Sequence, residues 1–447
     1  YKKLKNLTFL SFFAFFLRMS FWMRDIMKGG CIFSHYKNIR LIQEHPEQGN
    51  IERKRLLTDI LRHAVMHTTF YKHINPSSLS NFPIVTKTIL IDNYDNIRVD
   101  PVYLPWQKGA YHIQRTSGST GTPFAVPQDV RKRNRRLAEL KYFGRLAGFK
   151  SHDKLVHLRI WTKWQNKTKK QSFKENIVPY DISNLNEDNL QVLYDTLKST
   201  RAKCVRGYAS SFDLLAKFVE KYHLDKLPHL RIAIATSETL YDSTCELVEK
   251  YIGCKIISQY ANEENGILAQ QQVGDSSRRF YLNEASYFLE VLKFDSDEPA
   301  EYGELGRIVI TDFFNYAFPL IRYDNGDTCI MQLDEKTKHP YIAQLYGRRL
   351  DLVYNTKNEP VFPMVLARIL KNYSEISQWQ FIQETSDSYC LKIVLRNLSK
   401  LSCSEEIVIQ LREYFGLDAK ISIEYVQEIP VQRSGKRKCV VCNKEIK

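Results

Sequence analysis

The stretch QRTSGSTGTPF, residues 114–124, concentrates groups that bind anions. Its glycines let the backbone approach a ligand closely, and the surrounding hydroxyls and free N–H groups can converge on negatively charged oxygens. A phosphate is the natural ligand for such a loop, although hydroxyl-rich connectors are also common turns. The candidate phosphate-binding residues are Thr116, Ser117, Gly118, Ser119, Thr120, Gly121 and Thr122.

The net charge of +15 is located at the two ends of the chain. Residues 1–40 contain eight Lys or Arg against one acid, and residues 433–447 contain six against one, which leaves +3 for the remainder. Terminal charge alone is weak support for a nucleic-acid-binding module, and we expect no nucleic-acid partner. The C-terminal cluster, which includes Lys436, is instead suited to delivering a cation to a phosphate.

An aromatic run, FLSFFAFFL at residues 9–17, lies inside the basic N-terminal segment. Nine residues are too few to span a bilayer as a helix, and no cleavage pattern of small residues follows. The run predicts either a helix docked on the core or a helix resting on an anionic membrane surface through residues 1–30. Nine scattered cysteines favour a reducing compartment, so we expect a cytoplasmic protein whose membrane contact, if any, is with the inner face.

The elements that must position the hydroxyl-rich loop follow an α/β pattern. Between residues 150 and 260, short apolar strands alternate with helical patterns, which is typical of a sheet with helices on its faces. Strands are predicted at residues 154–160, 203–206, 231–235 and 255–257, and helices at 52–67, 131–148, 187–198, 211–222 and 243–251. Residues 280–330 are rich in strand patterns.

After residue 347 the pattern changes to that of a small α+β domain of about 100 residues. Strands are predicted near residues 351–354, 379–383, 390–396 and 420–425, and helices at 364–371 and 405–415. We therefore predict three segments: an N-terminal helical segment (1–50), a large domain (51–347) and a C-terminal domain (348–447).

Five further motifs follow the hydroxyl-rich loop in a definite order. They are TSE at 236–238, QYANEE at 259–264, PLIRYDNGD at 319–327, GRRLD at 347–351 with VFP at 361–363, and RSGK at 433–436. In this order they resemble the adenylate-forming ligases, most closely the phenylacetate-CoA ligase-like branch, of which some members belong to surface-polysaccharide gene clusters. The resemblance covers roughly residues 56–447 and implies a large α/β adenylation domain with a small, mobile C-terminal lid.

The resemblance implies a nucleotide site. The loop at 116–122 would hold the β- and γ-phosphates of ATP. Contacts to adenine are implied for Thr236, Ser237 and Glu238, stacking on adenine for Tyr260, and proximity to the ribose for Asp327 and Arg348.

Two side chains would take part in the chemistry that the resemblance implies. A carboxylate oxygen attacks the α-phosphorus of ATP, so two anions approach each other and cations must neutralise the developing charge. Lys436 would bridge the attacking carboxylate and an α-phosphate oxygen, and Glu264 would help to hold Mg²⁺. Glu263 is the adjacent residue, so either glutamate could occupy the metal-binding position of the motif, and Glu264 is the one we assign.

The acid and the acceptor stay open. Residues 161–164 and the side chains of Tyr208, Ser210 and Phe212 are predicted to line a pocket for an aromatic or small aliphatic acid, with core packing as the alternative. Acyl transfer would go to coenzyme A or to an amine or hydroxyl of a sugar. Leu350 stands where many relatives have a charged hinge residue, so a second possibility is a catalytically impaired nucleotide-binding relative that serves as an assembly component.

Overall fold

A computed structural model describes residues 2–115, 124–161, 167–294, 296–348, 353–361, 363–370, 372–373, 375–395, 401, 404–429 and 439–443. The chain forms two compact units. The first comprises Tyr1–Asn325 and Cys329–Gln344, and the second comprises Gly326–Thr328 and Leu345–Lys447. The predicted phosphate contacts of residues 116–122 and Lys436 lie outside the described residues.

Helices and short strands form the beginning of the first unit. These elements are α1 (Lys2–Met27), α2 (Cys31–Glu44), α3 (Pro46–His67), β1 (Val85–Thr86), α4 (Lys87–Asp92), α5 (Tyr94–Ile97), β2 (His112–Arg115) and β3 (Ala125–Gln128). The helix predicted at 52–67 is the later part of α3. Asp25 links α1 to α2, because its carboxylate accepts hydrogen bonds from the N–H groups of Ile32 and Phe33, which lack partners at a helix start.

One face of α1 packs against the rest of the first unit. Arg18 forms an ion pair with Asp153 at 3.0 Å, and the Lys141 ammonium lies 3.7 Å from the centroid of the Phe21 ring. The opposite face presents apolar side chains that are 43% to 83% exposed. This outer stripe of α1 consists of Phe12, Phe15, Phe16, Met19, Met23, Ile26 and Met27. Core docking is therefore confirmed for one face, and no helix in the described ranges has both the length and the apolarity to cross a bilayer.

Alternating strands and helices form the middle of the first unit. They are α6 (Val130–Leu146), β4 (Leu155–Arg159), α7 (Lys169–Glu175), β5 (Ile177–Asp181), α8 (Glu187–Thr200), β6 (Cys204–Tyr208), α9 (Ala209–Lys221), β7 (Ile232–Thr236), α10 (Asp242–Leu247) and β8 (Lys255–Asn262). The strands are parallel and lie in the order β5-β4-β6-β7-β8. Apolar clusters lie on both faces of this sheet, as expected where helices cover both sides.

Antiparallel strands continue the same sheet. They are β9 (Gly266–Gln271), β10 (Phe280–Leu282), β11 (Tyr287–Leu292), β12 (Leu305–Asp312), β13 (Tyr323–Leu333) and β14 (Pro340–Arg348). Beyond β8 the order is β9-β10-β14-β13-β12-β11, and β1 pairs with β13. Strands β8 and β9 form a hairpin, and its turn contains Glu263 and Glu264.

The second unit is a small α+β arrangement. It contains β15 (Val353–Tyr354), β16 (Pro360–Val361), α11 (Pro363–Leu370), β17 (Ile376–Gln383), β18 (Ser388–Leu395), α12 (Ser404–Phe415), β19 (Lys420–Tyr425) and β20 (Val440–Cys442). Four strands form a sheet in the order β19-β18-β17-β20, and the Phe415 ring of α12 packs 4.7 Å from that of Phe381. The predicted fold class, a large α/β domain with a small α+β domain, is confirmed.

Candidate active site

The carboxyl ends of the parallel strands bring three predicted segments together. In the sheet register, Tyr208 at the end of β6 pairs with Thr236 at the end of β7, and Thr236 pairs with Gln259 in β8. The Thr236 hydroxyl donates to the carbonyl oxygen of Gly207 at 3.3 Å. Ligands of open α/β sheets bind at this edge of the strands.

A hydrogen bond connects the loop after β7 to the first turn of α9. Ser237 has a left-handed backbone (φ +68°), which turns the chain out of the strand. The Glu238 carboxylate then accepts a hydrogen bond of 2.8 Å from the N–H of Ser210, one of the unpaired donors of the first helical turn. A negative side chain at a helix N-terminus is electrostatically favourable. The predicted adenine loop and Ser210 of the predicted acid pocket are thus in contact.

The two aromatic residues predicted for the acid pocket differ in position. Tyr208 is half-buried at the strand ends, where burial raises the pKa of its hydroxyl and the charge of Arg159 acts in the opposite direction. Phe212 is fully buried within the apolar cluster that includes Leu215 and Ala216 of α9. Phe212 therefore has the core-packing role, which was the alternative for both aromatic residues.

Tyr260 lies in β8 at an irregularity of the β8–β9 pairing. Its ring is buried, and its hydroxyl accepts a hydrogen bond of 2.7 Å from the side-chain amide of Asn325. The hydroxyl is thereby tied to strand β13 of the same sheet. Asp327 is half-buried in the same strand, and Arg348 is the last residue of β14.

The two adjacent glutamates of the β8–β9 turn have different partners. Glu263 forms an ion pair with Arg159 at 2.7 Å and accepts a hydrogen bond of 2.5 Å from Gln114, at the end of β2 that leads into the hydroxyl-rich loop. Glu264 accepts a hydrogen bond of 3.3 Å from the hydroxyl of Tyr323. One carboxylate is thus held by a cation, and the other contacts a neutral hydroxyl.

A buried polar network, which the sequence reasoning missed, supports this turn. Lys132 and Asp312 form an ion pair at 2.5 Å with both side chains inaccessible to solvent. Asp312 also accepts from the Asn265 amide at 3.3 Å, and the Tyr287 hydroxyl donates to the Asn265 carbonyl at 2.8 Å. Asn265 directly follows Glu264, so the network fixes the end of the turn.

Gly266 completes this support. Its φ of +133° is rarely adopted by residues with a side chain, and an added Cβ would lie 2.9 Å from both the Tyr287 hydroxyl and a Glu139 carboxylate oxygen. Burial raises the pKa of Glu139, and the Lys132 ammonium acts against that rise. Two clues were present in the sequence: Lys132 falls on the apolar face of the predicted α6, and a glycine follows the predicted metal-binding motif.

Residues 353–443 match the family described as the CapK C-terminal domain. Protein CapK of Staphylococcus aureus is 23% identical over 385 residues, which cover 83% of this chain and 82% of that protein.

Solved structures with the same fold cover most of the chain. A 2-hydroxyisobutyryl-CoA ligase in the postadenylation state, in complex with 2-HIB-AMP, gives a TM-score of 0.72 at 16% identity over 89% of this chain and 90% of that chain. The chain has the fold of the adenylate-forming ligases. The same fold is found in the anthranilate CoA ligase AuaEII in complex with anthranoyl-AMP (TM-score 0.54, 15% identity, 73% of this chain and 65% of that chain).

An amide bond synthetase, McbA from Marinactinospora thermotolerans, also has this adenylate-forming ligase fold (TM-score 0.55, 14% identity, 73% of this chain and 67% of that chain). The suspected resemblance is therefore confirmed at the level of the fold. Because a fold serves many reactions, the site must decide the function.

Proposed function

We propose that this protein activates a carboxylic acid with ATP to give an acyl-adenylate and pyrophosphate, and then transfers the acyl group to an acceptor. The observation that supports this most strongly is the meeting of Thr236, Glu238 and the Glu263–Glu264 turn at the carboxyl edge of the parallel strands, in an adenylate-forming ligase fold. These segments come from separate parts of the sequence, and the strand register brings them together at one edge.

In the first half-reaction a carboxylate oxygen of the acid bonds to the α-phosphorus, and the bond from that phosphorus to the bridging oxygen of pyrophosphate breaks. The adenine would lie along the loop of Thr236–Glu238 and against Tyr260, and Asp327 would accept hydrogen bonds from the ribose hydroxyls. Lys436 would neutralise charge at the α-phosphate, and residues 116–122 would donate hydrogen bonds to the β- and γ-phosphate oxygens. Each of these roles is a proposal that depends on the resemblance.

Glu264 fits the metal role better than Glu263. Mg²⁺ prefers carboxylate oxygens, and the resemblance gives the metal role to Glu264. The Glu263 carboxylate is already compensated by Arg159. When bound, Mg²⁺ would supply charge neutralisation at the phosphates.

In the second half-reaction the acceptor would attack the acyl carbonyl and AMP would leave. Coenzyme A and an amine or hydroxyl of a sugar are the two proposed acceptor classes. The similarity to CoA ligases and to an amide bond synthetase is compatible with both classes. The resemblance to ligases of surface-polysaccharide gene clusters motivates tests on amino sugars and other sugars of such polysaccharides.

ATP–pyrophosphate exchange with a panel of amino, hydroxy, aryl and dicarboxylic acids tests the first half-reaction. We expect exchange that depends on one class of acid and on Mg²⁺. AMP release that is stimulated by coenzyme A or by an amino sugar then identifies the acceptor. Retained ATP binding without exchange for any acid would favour the impaired relative instead.

We further propose that α1 rests on an anionic membrane surface through its outer stripe. The stripe residues recur every three or four positions, so they share one face of the helix, and three of them are phenylalanines. Residues 1–40 have a charge of +7, which complements anionic lipid headgroups. If the outer stripe instead bound a second copy of this chain, the positive charge of residues 1–40 would have no role in the contact.

Sedimentation with phosphatidylcholine vesicles, with and without phosphatidylglycerol, tests this contact. We expect binding that requires the anionic lipid, weakens with salt and is lost in the double variant Phe15→Ser/Phe16→Ser. The variant Leu417→Ser, at an exposed apolar residue of the second unit, is the matched control and should bind like the wild type. Salt-independent self-association that Phe15→Ser/Phe16→Ser abolishes, without vesicle binding, would assign the stripe to a dimer.

A further inference from the structure

An arginine and a histidine lie side by side below the carboxyl edge of the parallel strands. His157 in β4 pairs with Arg206 in β6, so the two side chains project from the same face of the sheet. Leu155 and Cys204 lie two positions earlier in the same strands. They are paired with each other on the same face and belong to a buried apolar cluster. Arg159 and Tyr208 lie on the same face, two positions later and at the carboxyl ends of the strands.

Arg206 differs from Arg159 in its electrostatic partners. Arg159 is paired with Glu263, whereas among the described residues no carboxylate forms an ion pair with Arg206. The Nε atom of Arg206 is inaccessible to solvent and has no hydrogen-bond partner. The residue as a whole is only partly buried, so part of it is accessible. Burying an uncompensated guanidinium is costly, and a protein that only needed to fold would gain by replacing it.

His157 supplies a neutral group beside this cation. Its ring packs edge-on against Trp161, with centroids 5.4 Å apart. Burial, followed by the charges of Arg206, Arg159 and Lys167, lowers the pKa of His157 to about 3. A neutral imidazole has one donor and one acceptor nitrogen, so it can add a hydrogen bond next to the charge of Arg206.

The spacing along the strands sets a length for the ligand. A strand rises about 3.3 Å per residue, so the Arg206–His157 level lies about 6 to 7 Å below the level of Tyr208 and Thr236. The acid's reacting carboxylate would lie at the upper level in the proposed function. A chain of about four to six carbon atoms bridges such a distance.

We propose that Arg206, assisted by His157, binds a second anionic group at the far end of the carboxylic acid, so that the substrate is a short dicarboxylate or an acid of similar length with another terminal anion. A guanidinium binds a carboxylate through two parallel hydrogen bonds, which gives both charge and orientation. This inference rests on the proposed function and narrows the expected acid, aromatic or small aliphatic, to a small aliphatic acid with a second terminal anion.

Exchange assays with acids of matched length test the proposal. Succinate and glutarate are compared with butanoate and pentanoate in the wild type, in Arg206→Met and in Arg231→Met, an exposed arginine that serves as control. We expect the wild type and Arg231→Met to prefer the dicarboxylates. We expect Arg206→Met to raise KM for them by about 10- to 100-fold and to leave the monocarboxylates unchanged. The proposal would be overturned if the wild type had the same KM for dicarboxylates and monocarboxylates and if Arg206→Met changed neither value.

The melting temperature of Arg206→Met distinguishes a ligand-binding role of Arg206 from a structural one, because the two roles predict Tm changes of opposite sign. Removal of an uncompensated buried charge should raise the Tm of Arg206→Met, whereas loss of a structural contact should lower it. Succinate or glutarate should raise the Tm of the wild type and not that of Arg206→Met. The Tm shift with succinate or glutarate tests the anion site independently of activity. If no acid supported exchange, the proposed function would be rejected, but the anion site would still be tested by this shift. A lower Tm in Arg206→Met together with no dicarboxylate stabilisation of the wild type would reject the anion site.

Discussion

The carboxylate of Glu263 lies 2.7 Å from the guanidinium of Arg159. This pair ties the β8–β9 turn to the end of β4, and Gln114 binds the same carboxylate from the strand that precedes the hydroxyl-rich loop. Glu263 therefore joins three segments that the proposed nucleotide site requires. We assign it a positioning role, which leaves the metal role to Glu264.

Substitution of the two glutamates should separate these roles. We expect Glu264→Gln to lower exchange by about 10- to 100-fold and to raise the Mg²⁺ concentration needed for half-maximal rate, because a group that holds the metal is lost. Glu263→Gln should leave the Mg²⁺ requirement unchanged and act through disordered positioning of Arg159 and Gln114. Mg²⁺ titrations of the exchange rate provide the measurement, and a shifted Mg²⁺ requirement in Glu263→Gln alone would reverse the assignment.

The buried pair of Lys132 and Asp312 should dominate the stability of the turn. Lys132→Met leaves the Asp312 carboxylate uncompensated in the interior and should lower the free energy of unfolding by about 3–5 kcal/mol. Urea denaturation measures this, with exposed Lys150→Met as the control, expected within about 0.5 kcal/mol of the wild type. The double variant Lys132→Met/Asp312→Asn should recover part of the loss, since the Asp312 carboxylate is then no longer present as an uncompensated charge. No recovery would mean that Lys132 acts through packing.

The parallel half of the sheet could be predicted because its strands are apolar runs between recognisable helices. Strand β5 was missed because its sequence, IVPYD, contains a proline and ends in an acid, which is untypical of a strand interior. Strand β20, only three residues long, was also missed, since so short a run gives no periodic signal.

The candidate site was predictable only where its residues form contiguous motifs. Lys132 and Asp312 are 180 residues apart, and His157 and Arg206 are 49 apart, so no local pattern links either pair. Their juxtaposition depends on strand order and register, which tertiary packing decides. Glu263 and Glu264 were visible in the sequence, but their different partners were not.

Acid should destabilise the first unit through His35. Burial, then the charges of Arg135 and Arg131, lowers the pKa of His35 to about 3 from an ordinary value of 6.5. Between those two values the unfolded chain binds the proton and the folded chain does not, so stability falls as pH falls below about 6.5. At pH 5 the loss attributable to one such histidine is about 2 kcal/mol.

Denaturation at pH 7 and pH 5 measures this difference. His35→Leu should reduce the stability lost between pH 7 and pH 5 by about 2 kcal/mol, with other buried histidines such as His157 still contributing. His73→Leu, at an exposed histidine, should retain the full loss. An unchanged slope in His35→Leu would show that other groups, such as paired carboxylates, account for the acid sensitivity.

Lys436 provides the sharpest test of the proposed chemistry, because its assignment comes from the RSGK motif alone. If its ammonium bridges the attacking carboxylate and the α-phosphate, it stabilises charge that is greatest in the transition state. Lys436→Ala should then lower the adenylation rate by about two to four orders of magnitude and leave ATP affinity nearly intact. Lys438→Ala removes the same charge from the same basic cluster and should reduce the rate little. Equal losses in the two variants would indicate that the cluster attracts ATP through its net charge, and an unaltered rate in both would exclude the C-terminal cluster from adenylation.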